Sequence, residues 1–180
     1  MNERPVFITD AEGTPLSVGE TGEIRIRCKA VIKGYYENPD ASAAEFCDGA
    51  WKSGDLGYID SDGYLYIVDR LKDMIISGGF NVYAVEVEAA LAAHPAVLMA
   101  AVVGIPHPEW GEAVHAEVIL RQGASVSVNE LIAQTRVRLG GYKSPKTLVF
   151  VEELPTSVVG KVLRRQVREK YWQGTSRKIS

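Results

Sequence analysis

The 180 residues are 46% hydrophobic and 24% charged, enough for one mid-sized domain or two small ones with a normal core, and no run of about 18 apolar residues offers a membrane span. Two cysteines, Cys28 and Cys47, and three scattered histidines exclude a disulfide scaffold and any zinc spacing, so both thiols read as reduced. Charge is uneven: 6 Lys+Arg against 13 Asp+Glu before Arg70 give −7, and 14 against 10 from Arg70 onward give +4. Most of the positive excess lies from Arg136 onward, where only Glu152, Glu153 and Glu169 oppose it. Such a field suits nucleic acid or a small phosphate-rich molecule, or else belongs to a solvated terminal helix. The start, MNERPVFITD, lacks the features of a signal peptide and gives the cytosol as the expected location.

In chain order, the first third is dense in turn signals, among them Glu12-Gly13, Asn38-Pro39, Asp48-Gly49, Gly54, Gly57 and Asp62-Gly63. Two alternating runs between them read as strands: 23–27, with Ile24 and Ile26 on one face, and 64–68 after the turn at 61–63. A short helix is predicted over 40–46 with Asp40 as its cap. From Arg70 the pattern changes to alternating strands and helices, the mark of a separate α/β unit. Met74-Ile75-Ile76 reads as a strand pairing back onto 64–68, and a helix follows over 84–94, stopped by Pro95. Residues 98–103 and 116–120 are strand candidates. Ser127 and Glu130 form a capping box ahead of Val128, Leu131, Ile132, Thr135 and Leu139, which fall at helical spacing. A last strand is predicted at 148–151 and a last helix at 162–171. The expected fold is α+β with an α/β second part: a small β-rich lobe over 1–69, then a domain over 70–180 with a short central sheet flanked by helices.

Taken singly, the chemistry-bearing motifs are weak. Gly160-Lys161 is not a phosphate-binding loop, because Pro155 and Val162 stand where that loop needs glycine and a hydroxyl residue. Ser77-Gly78-Gly79 could be only a turn, and Asp55 only a turn cap. Their order says more. Trp51-Lys52-Ser53-Gly54-Asp55-Leu56, the run from Asp69-Arg70 through Ser77-Gly78-Gly79, and Leu154-Pro155 through Gly160-Lys161 resemble successive late motifs of the adenylate-forming superfamily of AMP-binding enzymes. That superfamily contains acyl-CoA synthetases, peptide-synthetase adenylation domains and luciferases. Gly34-Tyr35-Tyr36-Glu37-Asn38-Pro39, Trp110-Gly111-Glu112 and Tyr142-Lys143-Ser144-Pro145-Lys146 sit where the bacterial fatty-acyl-CoA ligase branch has similar words. The resemblance covers essentially the whole chain.

The resemblance implies a role for each matched residue. Asp55 would hold the ribose hydroxyls of ATP or AMP, and a carboxylate can accept both hydrogens. Arg70 would contact the same ribose. Ile67 would pack on the nucleotide, or is an ordinary strand core position. Lys72 falls at the hinge about which the C-terminal lid pivots between two arrangements. In one arrangement Lys161 would bridge the acyl carboxylate and the α-phosphate as the acyl-adenylate forms, where a fixed ammonium favours the transition state. In the other, Ser77, Gly78 and Gly79 would line the channel for the CoA pantetheine arm. Glycine there would allow close backbone approach. Lys143 and Lys146 would bind the CoA phosphates and Tyr142 its adenine, while Trp110 could cover CoA or pack in a core. Some relatives have a basic residue where Ser144 stands, so one phosphate contact is missing. His107 and His115 read as structural. Asp69-Arg70 replaces the usual Gly-Arg, and Thr156-Ser157 replaces a commoner basic-Thr pair.

The phosphate loop, the aromatic adenine motif and the acyl pocket of the superfamily are not among these residues. The chain therefore reads as the C-terminal piece of an ATP-dependent carboxylic acid:CoA ligase for fatty or aromatic acids. Its partners would be the missing large N-terminal domain, the acid and CoA, with Mg2+ expected in the full enzyme but without a ligand here. Alone it should be inactive. Other readings are the tail of an enzyme that loads a carrier protein, and a non-catalytic module for nucleic acid or a protein partner. Against nucleic acid, the aromatics form no stacking platform and the pI is near 5.7.

Overall fold

Turn chemistry shapes the first unit. In a computed structural model, which describes residues 5–173, the chain divides into Met1–Lys72 and Asp73–Ser180. The first unit is an antiparallel sheet of β1 (Val6–Thr9), β2 (Gly22–Ile26), β3 (Phe46–Cys47), β4 (Ala50–Ile59) and β5 (Leu65–Arg70), with helix α1 (Pro39–Glu45) before β3. β4 is its spine, flanked by β2 on one side and by β3 and β5 on the other. The turn-rich composition of 50–59 hides this strand in the sequence. Gly57 belongs there because of crowding: a β-carbon would lie 2.4 Å from the Tyr66 carbonyl oxygen. Ile8, Ile24, Ala50 and Leu56 form the buried apolar positions. Arg25, on the face opposite Ile24, is also buried, its Nε 3.5 Å from Glu23. Asn38 rather than Asp40 caps α1, its Oδ1 accepting from the Ala41 N–H at 3.1 Å, because Pro39 takes the first helical position.

A 3-10 turn at Leu71–Asp73 leads into the second unit. This contains β6 (Ile75–Ser77), β7 (Phe80–Val82), α2 (Ala84–Ala92), β8 (Val97–His107), β9 (Gly111–Leu120), α3 (Val128–Leu139), β10 (Thr147–Phe150) and α4 (Arg164–Glu169). Contrary to the sequence expectation, β6 does not return to residues 64–68; it pairs with β7 and, at Ser77, with Gly111 of β9. The cause is local. Gly78 and Gly79 have φ of +59° and +82°, the conformation of a two-residue hairpin that folds the strand onto its immediate successor.

β8 and β9 form a hairpin that extends beyond the predicted strands through Gly104 and Pro106, and Pro106 is tolerated because β8 is an edge strand. β10 adds parallel to β9. Successive residues of β8 point to opposite faces. Val102 packs with Val87, Leu91 and Leu131 under α2 and α3, whereas Ala101 and Val103 pack with Leu154 and Val167 under α4. Full burial of each Val or Leu among them contributes about 1.5–3 kcal/mol. As expected, Ser127 caps α3, its Oγ accepting from the Glu130 N–H at 3.1 Å. α4 is shorter than predicted because Val162 bridges back to Thr156. No helix among the described residues is long and apolar enough to cross a membrane.

Candidate functional site

Asp55 and Arg70 face each other across β4 and β5, with Arg70 Nε 3.4 Å from Asp55 Oδ1. Ser53 fixes the approach to Asp55: its Oγ donates to the Ile24 carbonyl at 2.8 Å and accepts from the Asp55 N–H at 3.0 Å. The pair is solvent-accessible, so an acceptor and a donor stand side by side at the surface, a set that suits vicinal hydroxyls. Ile67 is 69% exposed, which removes the alternative that it is a core position of this sheet.

Lys72 is exposed and ends the first unit. Lys161 is exposed too, on a tight loop between β10 and α4. Ser157 builds that loop: its N–H donates to the Lys161 carbonyl at 2.8 Å, its carbonyl accepts from Gly160 N–H at 2.8 Å, and its Oγ accepts from Lys161 N–H at 3.1 Å. Gly160 has φ +76°. Among the described residues the Lys161 ammonium has no hydrogen-bonded or ionic partner.

The residues assigned to CoA come together at one end of the second unit, although they lie far apart in the chain. The Gly78 N–H donates to the Trp110 carbonyl at 3.0 Å, and Lys146 Nζ lies 5.5 Å from the Trp110 ring centroid. Tyr142 is tilted against Phe80 at 5.2 Å. Trp110 is 38% exposed and stacks on His107 at 4.1 Å, whose Nδ1 accepts from the Glu109 and Trp110 N–H groups at 3.3 Å. Glycine at 78 and 79 answers to backbone conformation, not to crowding within the chain: a β-carbon at Gly78 would meet Trp110 only at 3.7 Å, and one at Gly79 would meet nothing within 4 Å. Phe80 and Arg136 are the members of this end that motif reading missed. An aromatic directly after two glycines was the available signal for Phe80.

The two lysines differ. Lys143 is bound to Glu86 at 2.7 and 2.8 Å; burial disfavours its charge, but the bond and the attraction of Glu86 outweigh that and raise its pKa. Lys146 donates to the Gly141 carbonyl at 2.6 Å, and burial, then the neighbouring charge of Arg136, lowers its pKa. Ser144 is buried and its Oγ donates to the Ile132 carbonyl at 3.2 Å.

The basic C-terminal stretch is largely spent on internal pairing. Arg164 binds Glu88 at 2.5 Å and Asp73 at 3.3 Å, Arg168 binds Glu112 at 2.8 Å, and Lys170 binds Glu117 at 2.9 Å. Tyr171, its hydroxyl pKa pushed up to about 12 by burial and by Glu117, also contacts His115 Nε2 at 2.8 Å. Sequence reading saw a charged field here because these acids lie on strands and helices remote in the chain. Among the described residues no group of three or more His, Cys, Asp or Glu side chains is disposed to hold a metal ion.

A β-rich sheet followed by an α+β unit built on a mixed sheet is the architecture of the C-terminal region of adenylate-forming enzymes. ATP-bound MatB from Rhodopseudomonas palustris superposes with a TM-score of 0.86 at 39% identity, over 92% of this chain and 33% of that one. Residues 86–161 match the family described as AMP-binding enzyme C-terminal domain. A feruloyl-CoA synthase of Amycolatopsis sp is 45% identical over 93% of this chain and 35% of its own length. A long-chain-fatty-acid–CoA ligase of Bacillus subtilis is 47% identical over 83% of this chain and 27% of its own. Residues 86–161 thus carry the AMP-binding enzyme C-terminal domain, and nearly the whole chain is similar to part of adenylate-forming enzymes. It spans about a third of the length of the curated relatives it matches.

Proposed function

We propose that the chain is the lid-bearing part of an ATP-dependent carboxylic acid:CoA ligase acting on fatty or aromatic acids, with residues 1–69 closing the nucleotide site and 70–180 forming the lid. The observation that carries this reading is the convergence of Gly78, Trp110, Tyr142 and Lys146 at one end of the second unit. These residues are drawn from three separate stretches and offer a glycine turn, aromatic faces and a cation together. The relatives named as CoA ligases support it.

Each half of the reaction then falls to a different group of residues. Asp55 accepts from the ribose hydroxyls of the nucleotide, and Arg70, 3.4 Å away, contacts the same ribose. Lys161, unpaired within the described residues, has its ammonium free to neutralise the charge that grows on the α-phosphate as acyl-adenylate forms. Ser157 holds the loop that presents it. Lys72 marks the pivot that brings first Lys161 and then the Gly78-Gly79 end to the reacting carbonyl. The acyl pocket lies outside these residues, so the chain alone does not adenylate.

Acid-dependent exchange of labelled pyrophosphate into ATP tests this, using the chain joined to the N-terminal portion of a relative such as MatB. Exchange is expected with the wild-type joint and should drop roughly 10²–10³-fold with Lys161→Ala. Undiminished exchange in that variant would remove Lys161 from the chemistry. Offering CoA or a carrier-bound phosphopantetheine as acceptor in the same assay separates a CoA ligase from a carrier-loading enzyme.

A further inference from the structure

This inference rests on the CoA reading of the second unit. We infer that Arg136, on the last turn of α3, joins Lys146 to clasp the 3′-phosphate of CoA, replacing the cation absent at position 144 with one delivered from a helix.

The groove between α3 and the loop that follows it has a volume of about 400 Å³ and is lined by Arg136, Gly141, Tyr142, Ser144 and Lys146 together with Ile132 and Pro145. Two cations enter it and no carboxylate does. They meet at Gly141. Lys146 Nζ donates to the Gly141 carbonyl at 2.6 Å, and a β-carbon at Gly141 would stand 3.4 Å from Arg136 Nε. Of the other basic groups, Lys143 is neutralised by Glu86, Arg164, Arg168 and Lys170 are tied to acids of the sheet and α2, and Arg138, though exposed on α3, does not line the groove. Ser144 cannot serve, since its buried hydroxyl is turned to the Ile132 carbonyl.

Among the described residues Arg136 and Lys146 therefore stand as adjacent like charges without a counter-ion, and burial, then the charge of Arg136, weakens the hold of Lys146 on its proton. An anion in the groove would relieve that repulsion. A phosphate monoester fits better than the CoA diphosphate. It carries close to two charges and three free oxygens, which a guanidinium fork and an ammonium can share from two sides, whereas each unit of the diphosphate carries about one charge. Tyr142 lines the same groove and presents an aromatic face for the attached adenosine.

The test is titration of the 180-residue chain with CoA and with dephospho-CoA, followed by amide NMR shifts and calorimetry, in wild type, Arg136→Gln and Arg138→Gln. Arg136 and Arg138 are both exposed on α3, so neither substitution threatens the fold, and Arg138 controls for general charge. Wild type should prefer CoA by about tenfold, the worth of one charge-assisted contact. Arg136→Gln should erase that preference while leaving dephospho-CoA binding within about twofold, and Arg138→Gln should keep it. Equal weakening of both ligands, or no change, would overturn the assignment of Arg136 while the CoA reading survives. Absence of any shift at 141–146 with either ligand would instead overturn the CoA reading beneath it.

Discussion

Arg164 is ion-paired to Asp73 at 3.3 Å, and each stands beside a residue on which the proposed chemistry turns: Asp73 follows Lys72, and Arg164 lies three residues beyond Lys161. The same guanidinium binds Glu88 at 2.5 and 2.8 Å, and Glu88 also accepts from the Val102 N–H at 3.0 Å. One side chain thus ties the start of the second unit, α2 and α4 together. With all three groups less than a fifth exposed, Arg164→Met should cost about 2–3 kcal/mol by leaving two carboxylates unpaired. Urea unfolding measures it, and a change below about 0.5 kcal/mol would mark the cluster as no more than a surface pair.

Stability should fall on acidification through His115. Burial holds its pKa below the usual value; Glu117 opposes that shift and Lys170 adds to it, while its Nδ1 meets Thr147 Oγ1 at 2.7 Å. Above about pH 6.5, the unfolded value, the ring is neutral in both states and contributes no slope. Below it the unfolded chain takes up a proton that the folded chain resists, so stability declines as pH falls toward the folded pKa. Unfolding measured at about pH 7 and 5.5 should show a smaller loss in His115→Gln than in wild type, by up to about 1.4 kcal/mol per pH unit. Equal losses would exclude His115 as the source.

Lys161→Ala should leave the unfolding free energy within about 0.5 kcal/mol of wild type, because an exposed side chain without partners among the described residues holds little together. A large loss of stability would mean that reduced exchange in this variant reports folding and not chemistry.

The legible parts of this chain are those set by neighbours in sequence. The Ser127 cap and the apolar spacing of α3, the stop at Pro95 and the turn before β5 follow from local rules, and the motif order is carried by contiguous words. What escaped depends on partners far along the chain. β4 was hidden because Gly57 answers to the close passage of β5 and Gly54 to a positive φ, and the pairing of β6 turned on two positive φ angles that composition does not distinguish from a loose turn. The C-terminal basic run read as a ligand field or a solvated helix because Glu88, Glu112 and Glu117, which pair with Arg164, Arg168 and Lys170, come from elements 50 or more residues away. Arg136 escaped for the converse reason: its meaning comes from Lys146 and Gly141 across a loop.

Gly79→Ala should cost about 1 kcal/mol and Gly78→Ala a similar amount, since both force an L-residue to positive φ. If crowding and not φ governed these sites, the Gly79 change would be free, because nothing lies near its missing β-carbon. Thermal unfolding of the two variants distinguishes the cases.

β5 lies at one margin of its sheet with Leu65, Tyr66 and Ile67 exposed and with neither lysine nor proline among those three residues to blunt it. Such an edge is a template for another strand. Handled as this chain alone, the protein would self-associate along β5 as its concentration rises, and a lysine introduced at Ile67 would be the simplest way to keep it monodisperse.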